Sequence, residues 1–468
     1  MKRFLPIVGH VLIFLALAFS CGAQGIPVVS RNGQSAYAPE MPFARVDAAQ
    51  TNGVYNAAEW CDKRGHLDDS CLRNALAEAR LKTPSRVFLP PGLYVFADNV
   101  TVTGLANVEI AGAGASTIIK RDATAFQCYS CTNVTFRDIA FTSVTEPVRK
   151  LIADLPTADP NQIVVIDRFS TNWGYIPTGN DHDLRVADGC STHCLSDAQL
   201  AASFDNGVYF NGGSNIEISG LRGNFYSISI DGGTSVSIHN NTGRNGGKSN
   251  QGGCVTVGAG SERVRVVDND FSYCSNAGFV FRGADTVSLV GNVAMYNGES
   301  GFKTGQNSPN YVTNFTSSSN VSAYNGFDGF DYAEDYPHLG THVCQCASHG
   351  DISYSNLGVG FYLDGAHWAI SGALVHENSK GGIVAKLSHS SITGSVIYAN
   401  NTSHVGGNHQ VNIDAGGYLT FTGNTIYDAG NGDYGVYAVD VTNQIYSGNT
   451  IQGAPTWDAT NGHAISPF

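Results

Sequence analysis

The second half of the chain is built from a repeat of about 25 residues, and this repeat constrains the fold more than any other feature. Each copy holds a short segment that alternates apolar and polar residues, as half-buried strands do. The segments are GVYFN (207–211), SISID (227–231), GCVTV (253–257), GFVFR (278–282), GFKTG (301–305), GFDYA (329–333), GFYLD (360–364), GIVAK (382–386), QVNID (410–414) and GVYAV (435–439). Turns rich in Asn and Gly, such as GNVAMYNG and SNVSAYNG, recur in phase with them. The pattern predicts an all-β fold, a single-stranded parallel β-helix of about 12 coils in which Asn side chains hydrogen-bond from coil to coil.

Composition limits the class of partner. The formal net charge of −13 argues against nucleic acid, because phosphate binding needs clustered Lys and Arg. An acidic protein can still bind an anionic sugar polymer where local cations or a bound metal line the site. We therefore expect a polysaccharide partner, and we expect the protein to be a monomer.

The first residues have the pattern of an export signal. Lys2 and Arg3 precede an apolar run and then small residues, which predicts a signal peptide over residues 1–23 with cleavage after Ala23. The alternative is a lipoprotein signal that ends before Cys21, which would then carry a lipid anchor. Either reading predicts export to the periplasm, the outer surface or the medium. No later stretch is long and apolar enough to span a membrane.

The cysteine count supports export, because ten of the eleven Cys remain once Cys21 is set aside. Four disulfide bonds are predicted from close pairs: Cys61–Cys71, Cys128–Cys131, Cys190–Cys194 and Cys254–Cys274. Cys344 and Cys346 are too close for an easy bridge, so we expect them to pair elsewhere. A zinc site at Cys128 and Cys131 is the weaker reading, since no second close Cys or His pair accompanies them.

Residues 24–468 are predicted to form the β-helix domain, with a capping region at 60–99 and an inserted loop at 144–205. The loop has no repeat register and is rich in Asp. A long loop on a solenoid usually lies on the functional face. The alternative is a disulfide-tied excursion without a role.

The capping region should contain one short amphipathic helix. Ser70 is the expected N-cap, and Leu72, Leu76 and Ala79 form the apolar stripe. A stacked sheet exposes an unpaired edge, so a cap of this kind is needed at the end of a solenoid.

The outward residues of the middle coils form a polar cluster. Successive coils stack about 4.8 Å apart, so residues at equivalent positions become neighbours. The cluster contains Arg282, Lys303, Asp331, Tyr362, Asp364 and Lys386, and the following loops add Glu334, Asp335, His338, His367 and Trp368. The flanking coils are expected to present Val255, Val257 and Val280 instead of charges. The competing interpretation is a solvated strand face with compensating charges.

Cations beside carboxylates suit cleavage of a polyuronate by β-elimination. A cation neutralises the uronate carboxylate, and a base then removes the C5 proton. We expect Lys303 to be that base, because neighbouring Arg282 should lower its pKa. The predicted catalytic residues are Lys303, Arg282, Asp331 and His338. The predicted substrate-binding residues are Tyr362, Asp364, Lys386 and Trp368. The predicted ligands of a Ca²⁺ cofactor are Glu299, Glu334 and Asp335.

Three stretches resemble known families. FLPPGLY and IAGAGASTII, which follow the predicted helix, resemble the N-terminal part of the pectate-lyase-like superfamily, whose fold is a right-handed parallel β-helix. Residues 297–331 resemble polysaccharide lyase family nine, where a "DGF…K" coil precedes an "N…DGFD" coil. That resemblance implies a secreted or surface lyase. The chain departs from the family in the spacing of Lys303 and in having Glu299 where the family has a calcium-binding aspartate.

Three alternatives to a lyase remain open. Residues 331–338 resemble the Tyr/Asp/Pro-His site of mannuronan C5-epimerases, which begin with the same proton abstraction. Asp331 and Asp364 should lie on the order of 8 Å apart, within the range of inverting glycoside hydrolases. A solenoid that binds glycans without catalysis would show the same polar face.

Overall fold

The computed structural model describes the following residues: 53–121, 124–142, 207–224, 226–244, 246, 253–274, 276–305, 311–333, 343–403, 409–414, 417–427, 434–439 and 443–453. The predicted signal peptide, the lipid anchor at Cys21 and the inserted loop at 144–205 lie outside these residues.

The described residues form a short 3-10 helix, one α-helix and a series of strands. The helices are the 3-10 helix Ala57–Glu59 and α1 Asp69–Ala79. The strands of the first part of the chain are β1 Val54–Asn56, β2 Ser85–Phe88, β3 Gly92–Val95, β4 Val100–Thr103, β5 Ala106–Lys120, β6 Phe126–Thr142, β7 Val208–Ser219, β8 Arg222–Asn224, β9 Ile228–Asp231, β10 Thr234–His239, β11 Thr242–Arg244, β12 Val255–Val257, β13 Glu262–Val267, β14 Asp270–Ser272, β15 Phe279–Phe281 and β16 Asp285–Val290. The remaining strands are β17 Val293–Met295, β18 Phe302–Thr304, β19 Thr313–Ser318, β20 Val321–Ala323, β21 Phe330–Ala333, β22 Val343–His349, β23 Ile352–Tyr354, β24 Val359–Ser371, β25 Leu374–His376, β26 Gly381–Thr393, β27 Val396–Tyr398, β28 Val411–Asp414, β29 Gly417–Thr422, β30 Thr425–Tyr427, β31 Val436–Val439, β32 Ile445–Ser447 and β33 Thr450–Gln452.

These strands pair in parallel, each with its counterpart one coil away, and so form three ladders. The first ladder runs β1, β2, β5, β6, β7, β10, β13, β16, β19, β22, β24, β26, β29, β32. The second runs β3, β5, β6, β8, β11, β14, β17, β20, β23, β25, β27, β30, β33. The third runs β4, β6, β7, β9, β12, β15, β18, β21, β24, β26, β28, β31. The predicted parallel β-helix is therefore confirmed.

The core lies inside the coil and is organised as stacks of like residues. In the third ladder, Phe279, Phe302, Phe330 and Phe361 stack face to face with centroid separations of 4.9, 5.0 and 4.5 Å. All four are fully buried, and each contributes on the order of 2 kcal/mol. Because side chains alternate along a strand, this stack fixes which residues point outward on the same strands.

Buried asparagines form hydrogen-bonded ladders at the turns, as the recurring Asn predicted. In one ladder the amide Nδ2 of each residue donates to the Oδ1 of the next, from Asn297 through Asn325, Asn356 and Asn378 to Asn400, at 3.0, 2.8, 2.9 and 2.9 Å. Each Oδ1 also accepts a backbone N–H from the preceding coil, for example that of Asn297 at 3.0 Å. The buried polar groups of the turns are thereby satisfied.

The capping helix is present, but its N-cap differs from the prediction. The side chain of Asp68 accepts the backbone N–H of Ser70, so the helix begins after Asp68 and Ser70 lies in its first turn. Leu72, Leu76 and Ala79 are buried, as predicted, and α1 contacts β1, β2 and β4. The apolar stripe of the helix therefore covers the first strands of the solenoid. No helix within the described residues is long and apolar enough to cross a membrane.

Three of the predicted disulfide bonds are present, namely Cys61–Cys71, Cys128–Cys131 and Cys254–Cys274. Cys190 and Cys194 lie outside the described residues. The expectation for the remaining two cysteines was wrong, because Cys344 pairs with Cys346. Gln345 between them has a left-handed backbone with φ 53°, and this bend puts both cysteine side chains in the interior.

Candidate functional site

The outer face of the third ladder brings the predicted charged residues together. Lys303 lies opposite Asp331 on the neighbouring strand, and Asp331 lies opposite Tyr362. Asp364 lies opposite Lys386, two residues further along the same strands. The stacking of Lys303 against a carboxylate from the next coil, predicted from the two repeats, is therefore observed.

Of the three valines predicted for the apolar flank, Val255 and Val257 were assigned one residue out of phase, whereas Val280 lies in the outward row opposite Lys303. Val255 pairs with Phe279 and Val257 with Phe281, and both valines are fully buried in the core. Thr256 is the outward residue, opposite Val280. A slip of one residue exchanges the two faces of a strand, so GCVTV does not align with GFVFR letter for letter.

Lys303 is held between two carboxylates. Its Nζ pairs with Glu299, four residues earlier in the chain, and lies 3.7 Å from Oδ2 of Asp331. The Lys303 side chain is 16 % exposed and that of Asp331 is 2 % exposed. Little water screens these charges, so their interaction is stronger than that of a surface ion pair.

The surroundings of Lys303 raise its pKa instead of lowering it. Burial acts to lower the pKa of the ammonium, but the negative charges of Asp331 and Glu299 outweigh burial, and nearby Arg282 opposes them only weakly. The expectation that Arg282 would make Lys303 a base of low pKa was therefore wrong. At neutral pH Lys303 is a buried cation.

Asp328 belongs to the site, although no sequence argument singled it out. Its carboxyl is buried, and its Oδ1 accepts the backbone N–H of Val359 at 2.7 Å. Gly358 lets this carboxyl pack against the backbone, since a Cβ there would lie 2.1 Å from Oδ1. Burial raises the pKa of Asp328 well above its usual range, and the negative charge of Asp331 raises it further.

Asp328 and Asp331 thus differ in environment while lying three residues apart. Asp331 faces a cation, whereas Asp328 is enclosed and opposed by a neighbouring negative charge. Burial and the charge of Asp331 favour the protonated form of Asp328, whereas Asp331 pairs with the Lys303 ammonium, and acid–base catalysis uses such a difference in environment. The only available sequence signal was the Asp328-Gly-Phe-Asp331 spacing itself.

Three of the four predicted substrate-binding residues extend the cluster from Asp331 toward the C-terminal coils. Nζ of Lys386 lies 5.8 Å from the ring centroid of Tyr362, which places a cation over an aromatic face. Asp364 is fully buried beside them. Tyr362 and Lys386 are partly exposed and can reach a ligand on this face.

Trp368, the fourth predicted substrate-binding residue, is instead part of the core. Its side chain is 1 % exposed and stacks on Tyr332 at a centroid separation of 5.3 Å. No loop follows Asp364, because β24 continues to Ser371, and Trp368 points inward from it. A sugar outside the coil cannot contact this ring.

Most of the expected calcium site lies outside the described residues, which therefore leave the expectation untested. They contain no group of three His, Cys, Asp or Glu side chains placed to hold a metal. The Glu299 carboxylate, one of the predicted ligands, is already engaged by Lys303. The other predicted ligands, Glu334 and Asp335, lie outside the described residues, as does the predicted catalytic His338.

Comparisons with known proteins agree with the fold. Residues 185–339 match the family model described as right handed beta helix region. No curated protein sequence matches the chain.

Three solved structures are similar in fold. The A-module of the mannuronan C-5 epimerase AlgE6 from Azotobacter vinelandii has a TM-score of 0.54 and 16% identity, over 86% of this chain and 100% of that one. The tailspike receptor binding domain of siphovirus 9NA has a TM-score of 0.59 and 17% identity, over 81% and 73%. The receptor-binding protein of bacteriophage Det7, a podoviral tailspike, has a TM-score of 0.58 and 15% identity, over 86% and 76%. These likenesses establish a right-handed parallel β-helix.

Proposed function

We propose that this right-handed parallel β-helix is an exported enzyme that acts on an acidic, uronate-containing polysaccharide and cleaves it by β-elimination. The observation that carries the proposal is the buried cation Lys303, held 3.7 Å from the nearly inaccessible carboxylate of Asp331 on the outer face of the third ladder. Burying both charges is costly unless they are paired, so this arrangement is more than a solvated strand face.

The raised pKa of Lys303 changes the role we assign to it. A protonated Lys303, with Arg282 beside it, binds the uronate carboxylate and stabilises the negative charge that develops when the C5 proton leaves. Asp331 is our candidate to accept that proton, which requires polymer binding to open the face around its 2 % exposed side chain. Lys386, beside Tyr362, supplies a further cation for a neighbouring uronate.

The elimination needs no added reagent. Asp331 takes the proton from C5, the electron pair forms the C4–C5 double bond, and the bond from C4 to the glycosidic oxygen breaks. The leaving oxygen takes a proton from water or from a neighbouring acid. Asp328, whose pKa is raised, lies close enough to Asp331 to feel its charge and can receive or return a proton between turnovers.

Ultraviolet absorbance of the 4,5-unsaturated product tests the proposal directly. The protein is incubated with pectate, alginate and mixed acidic polysaccharides, with and without a chelator. Absorbance that appears with wild type and disappears with Asp331→Asn supports the lyase. A loss of rate with the chelator supports the predicted Ca²⁺ requirement, and an unchanged rate rejects it.

A glycoside hydrolase is the second candidate, and one observation favours it. Asp364 pairs with Ala333, two residues beyond Asp331, so the two carboxylates lie on adjacent strands at a diagonal. The strand spacing and rise place their Cα atoms about 8 Å apart, a value within the range that separates the carboxyl groups of inverting hydrolases. The Asp364 side chain is fully buried, so this reaction requires substrate binding to open the face around it. New reducing ends without ultraviolet absorbance would select this reaction. A change of uronate configuration without cleavage would select an epimerase, and binding without any product would select a glycan-binding solenoid.

A further inference from the structure

A second cluster of aromatic and polar side chains lies on the outer face of the third ladder, toward its N-terminal end. Asp231 Oδ2 accepts a hydrogen bond from the Tyr209 hydroxyl at 3.0 Å. Nδ2 of Asn211 donates to the same hydroxyl at 2.7 Å. The ring of Tyr129 meets that of Tyr209 edge to face, with centroids 6.1 Å apart. The four side chains form one hydrogen-bonded and packed group.

This cluster is aligned with the proposed catalytic site. The residues opposite one another along the ladder are Tyr209, Ser229, Thr256, Val280 and Lys303. Four strand spacings therefore separate Tyr209 from Lys303, a distance of about 19 Å. A pyranose unit of an extended polymer advances by about one strand spacing, so a chain lying along the face reaches the cluster four sugars from the reacting uronate.

The Asp231 side chain occupies the space over Gly258, between the cluster and the catalytic site. Two residues further along the same strands, the aligned positions are Asp231, Gly258 and Arg282. A Cβ at Gly258 would lie 1.7 Å from Oδ1 of Asp231. The Asp231 carboxylate therefore leans over the glycine, toward the catalytic site. A side chain at that position would displace it.

Charge is distributed unevenly along this face. On the part of the third ladder that the structure describes, outward cations occur at Arg282, Lys303 and Lys386, in the middle and C-terminal coils. The described coils before Arg282 present Gln, Tyr, Asn, Ser and Thr together with the carboxylate of Asp231. A uronate at this end would face the Asp231 carboxylate, and the described residues of these coils place no cation in the outward row.

We infer that Tyr129, Tyr209, Asn211 and Asp231 form a distal subsite for an uncharged sugar. Aromatic rings offer apolar faces to a pyranose, and a carboxylate beside an amide and a phenol can accept and donate hydrogen bonds to its hydroxyl groups. The substrate is then a mixed polysaccharide that carries neutral sugars as well as uronates. This inference rests on the proposed function, because the direction of the chain is taken from the site at Lys303.

The subsite is tested by comparing the affinities of the protein for two polymers of equal length, measured by affinity electrophoresis. One is a homopolyuronate and the other a heteropolymer in which uronates alternate with neutral sugars. Wild type should prefer the heteropolymer, and Tyr209→Ala should weaken that binding about tenfold, the loss of one stacked ring. Tyr209→Phe keeps the ring and the fold, so it should lose only the contribution of the hydroxyl. Tyr418→Ala, a 57 % exposed tyrosine of the first ladder, is the matched control and should bind as wild type does.

Removing the negative charge of Asp231 should strengthen the binding of a polyuronate. Asp231→Asn keeps an acceptor for the Tyr209 hydroxyl and removes the negative charge, so affinity for the homopolyuronate should rise about threefold. Unchanged binding in both Tyr209→Ala and Asp231→Asn, with unsaturated product still formed by the protein, overturns the subsite and leaves the lyase intact. Tyr209-dependent preference for the heteropolymer without any product supports the subsite and rejects the lyase.

Discussion

Nζ of Lys303 and Oδ2 of Asp331 lie 3.7 Å apart on adjacent strands, at equivalent positions of two consecutive repeats. This ion pair joins two coils and exists because they stack, whereas the other partner of Lys303, Glu299, lies four residues earlier in the chain. The charge of Asp331 also keeps the Lys303 ammonium protonated. The relation between these two side chains decides which of them can act as a base.

Replacing Lys303 separates an electrostatic role from a basic one. Lys303→Arg keeps a permanent positive charge, and we expect kcat/KM to stay within about tenfold of wild type. Lys303→Met should lower it by about a hundredfold or more, because the uronate carboxylate loses its cation. Initial rates of unsaturated-product formation measure both. Lys63→Met, at an exposed position, serves as the control. An inactive Lys303→Arg that still binds polymer would show that Lys303 is the base after all.

Removing the acid group of Asp328 should change how stability depends on pH. Its pKa is raised in the folded protein, so the stability associated with the protonated carboxyl is fully present below the unfolded pKa of about 3.9 and falls as the pH rises toward the folded pKa. Asp328→Asn can still accept the Val359 N–H. The change in the free energy of unfolding that Asp328→Asn causes should therefore be more stabilising at pH 7 than at pH 4, by on the order of 1 kcal/mol.

Urea denaturation at the two pH values measures this difference, with exposed Asp268→Asn as the control. Equal effects of Asp328→Asn at both values would mean that Asp328 titrates normally in the folded protein.

Interrupting the buried asparagine ladder should cost substantial stability. Asn325 donates from Nδ2 to Oδ1 of Asn356 at 2.8 Å and accepts the backbone N–H of Asn297 at 3.0 Å. Asn325→Ala leaves the backbone N–H and Nδ2 of Asn297 buried without an acceptor and removes one of the two donors to Oδ1 of Asn356. We expect a loss of about 3 kcal/mol in urea denaturation. Asn99→Ala removes a partly exposed Asn bonded to Thr101 and should cost less than about 1 kcal/mol. Similar losses in the two variants would contradict a special contribution of the ladder.

A conservative change at Trp368 tests its assignment to the core. Trp368→Phe removes part of a ring stacked on Tyr332, and we expect a loss of about 1–3 kcal/mol in the free energy of unfolding. KM for the polymer should be unchanged, because the ring does not reach the outer face. Denaturation and steady-state kinetics on one preparation check both expectations. A raised KM at unchanged stability would restore Trp368 to the substrate-binding residues.

Prediction from sequence succeeded for features that repeat and failed where a single position had to be judged. Lys303 and Asp331 were placed side by side because their repeats, GFKTG and GFDYA, align without gaps. Val255 and Val257 were assigned to the wrong face because GCVTV starts one residue out of phase with the other repeats. Side chains alternate between the two faces of a strand, so a shift of one residue exchanges the faces. Trp368 was misread because nothing in the local sequence marks β24 as continuing through it.

The sequence by itself determined the coil. Its period, its alternating strands and its recurring Asn and Gly are local properties, and stacking repeats them, so the parallel β-helix and its rows of phenylalanine and asparagine follow from the pattern. Only the tertiary structure decided the chemistry of the site. Whether Lys303 keeps its proton and Asp328 stays enclosed depends on burial and on charges from other coils, and these quantities have no counterpart in the spacing of residues along the chain.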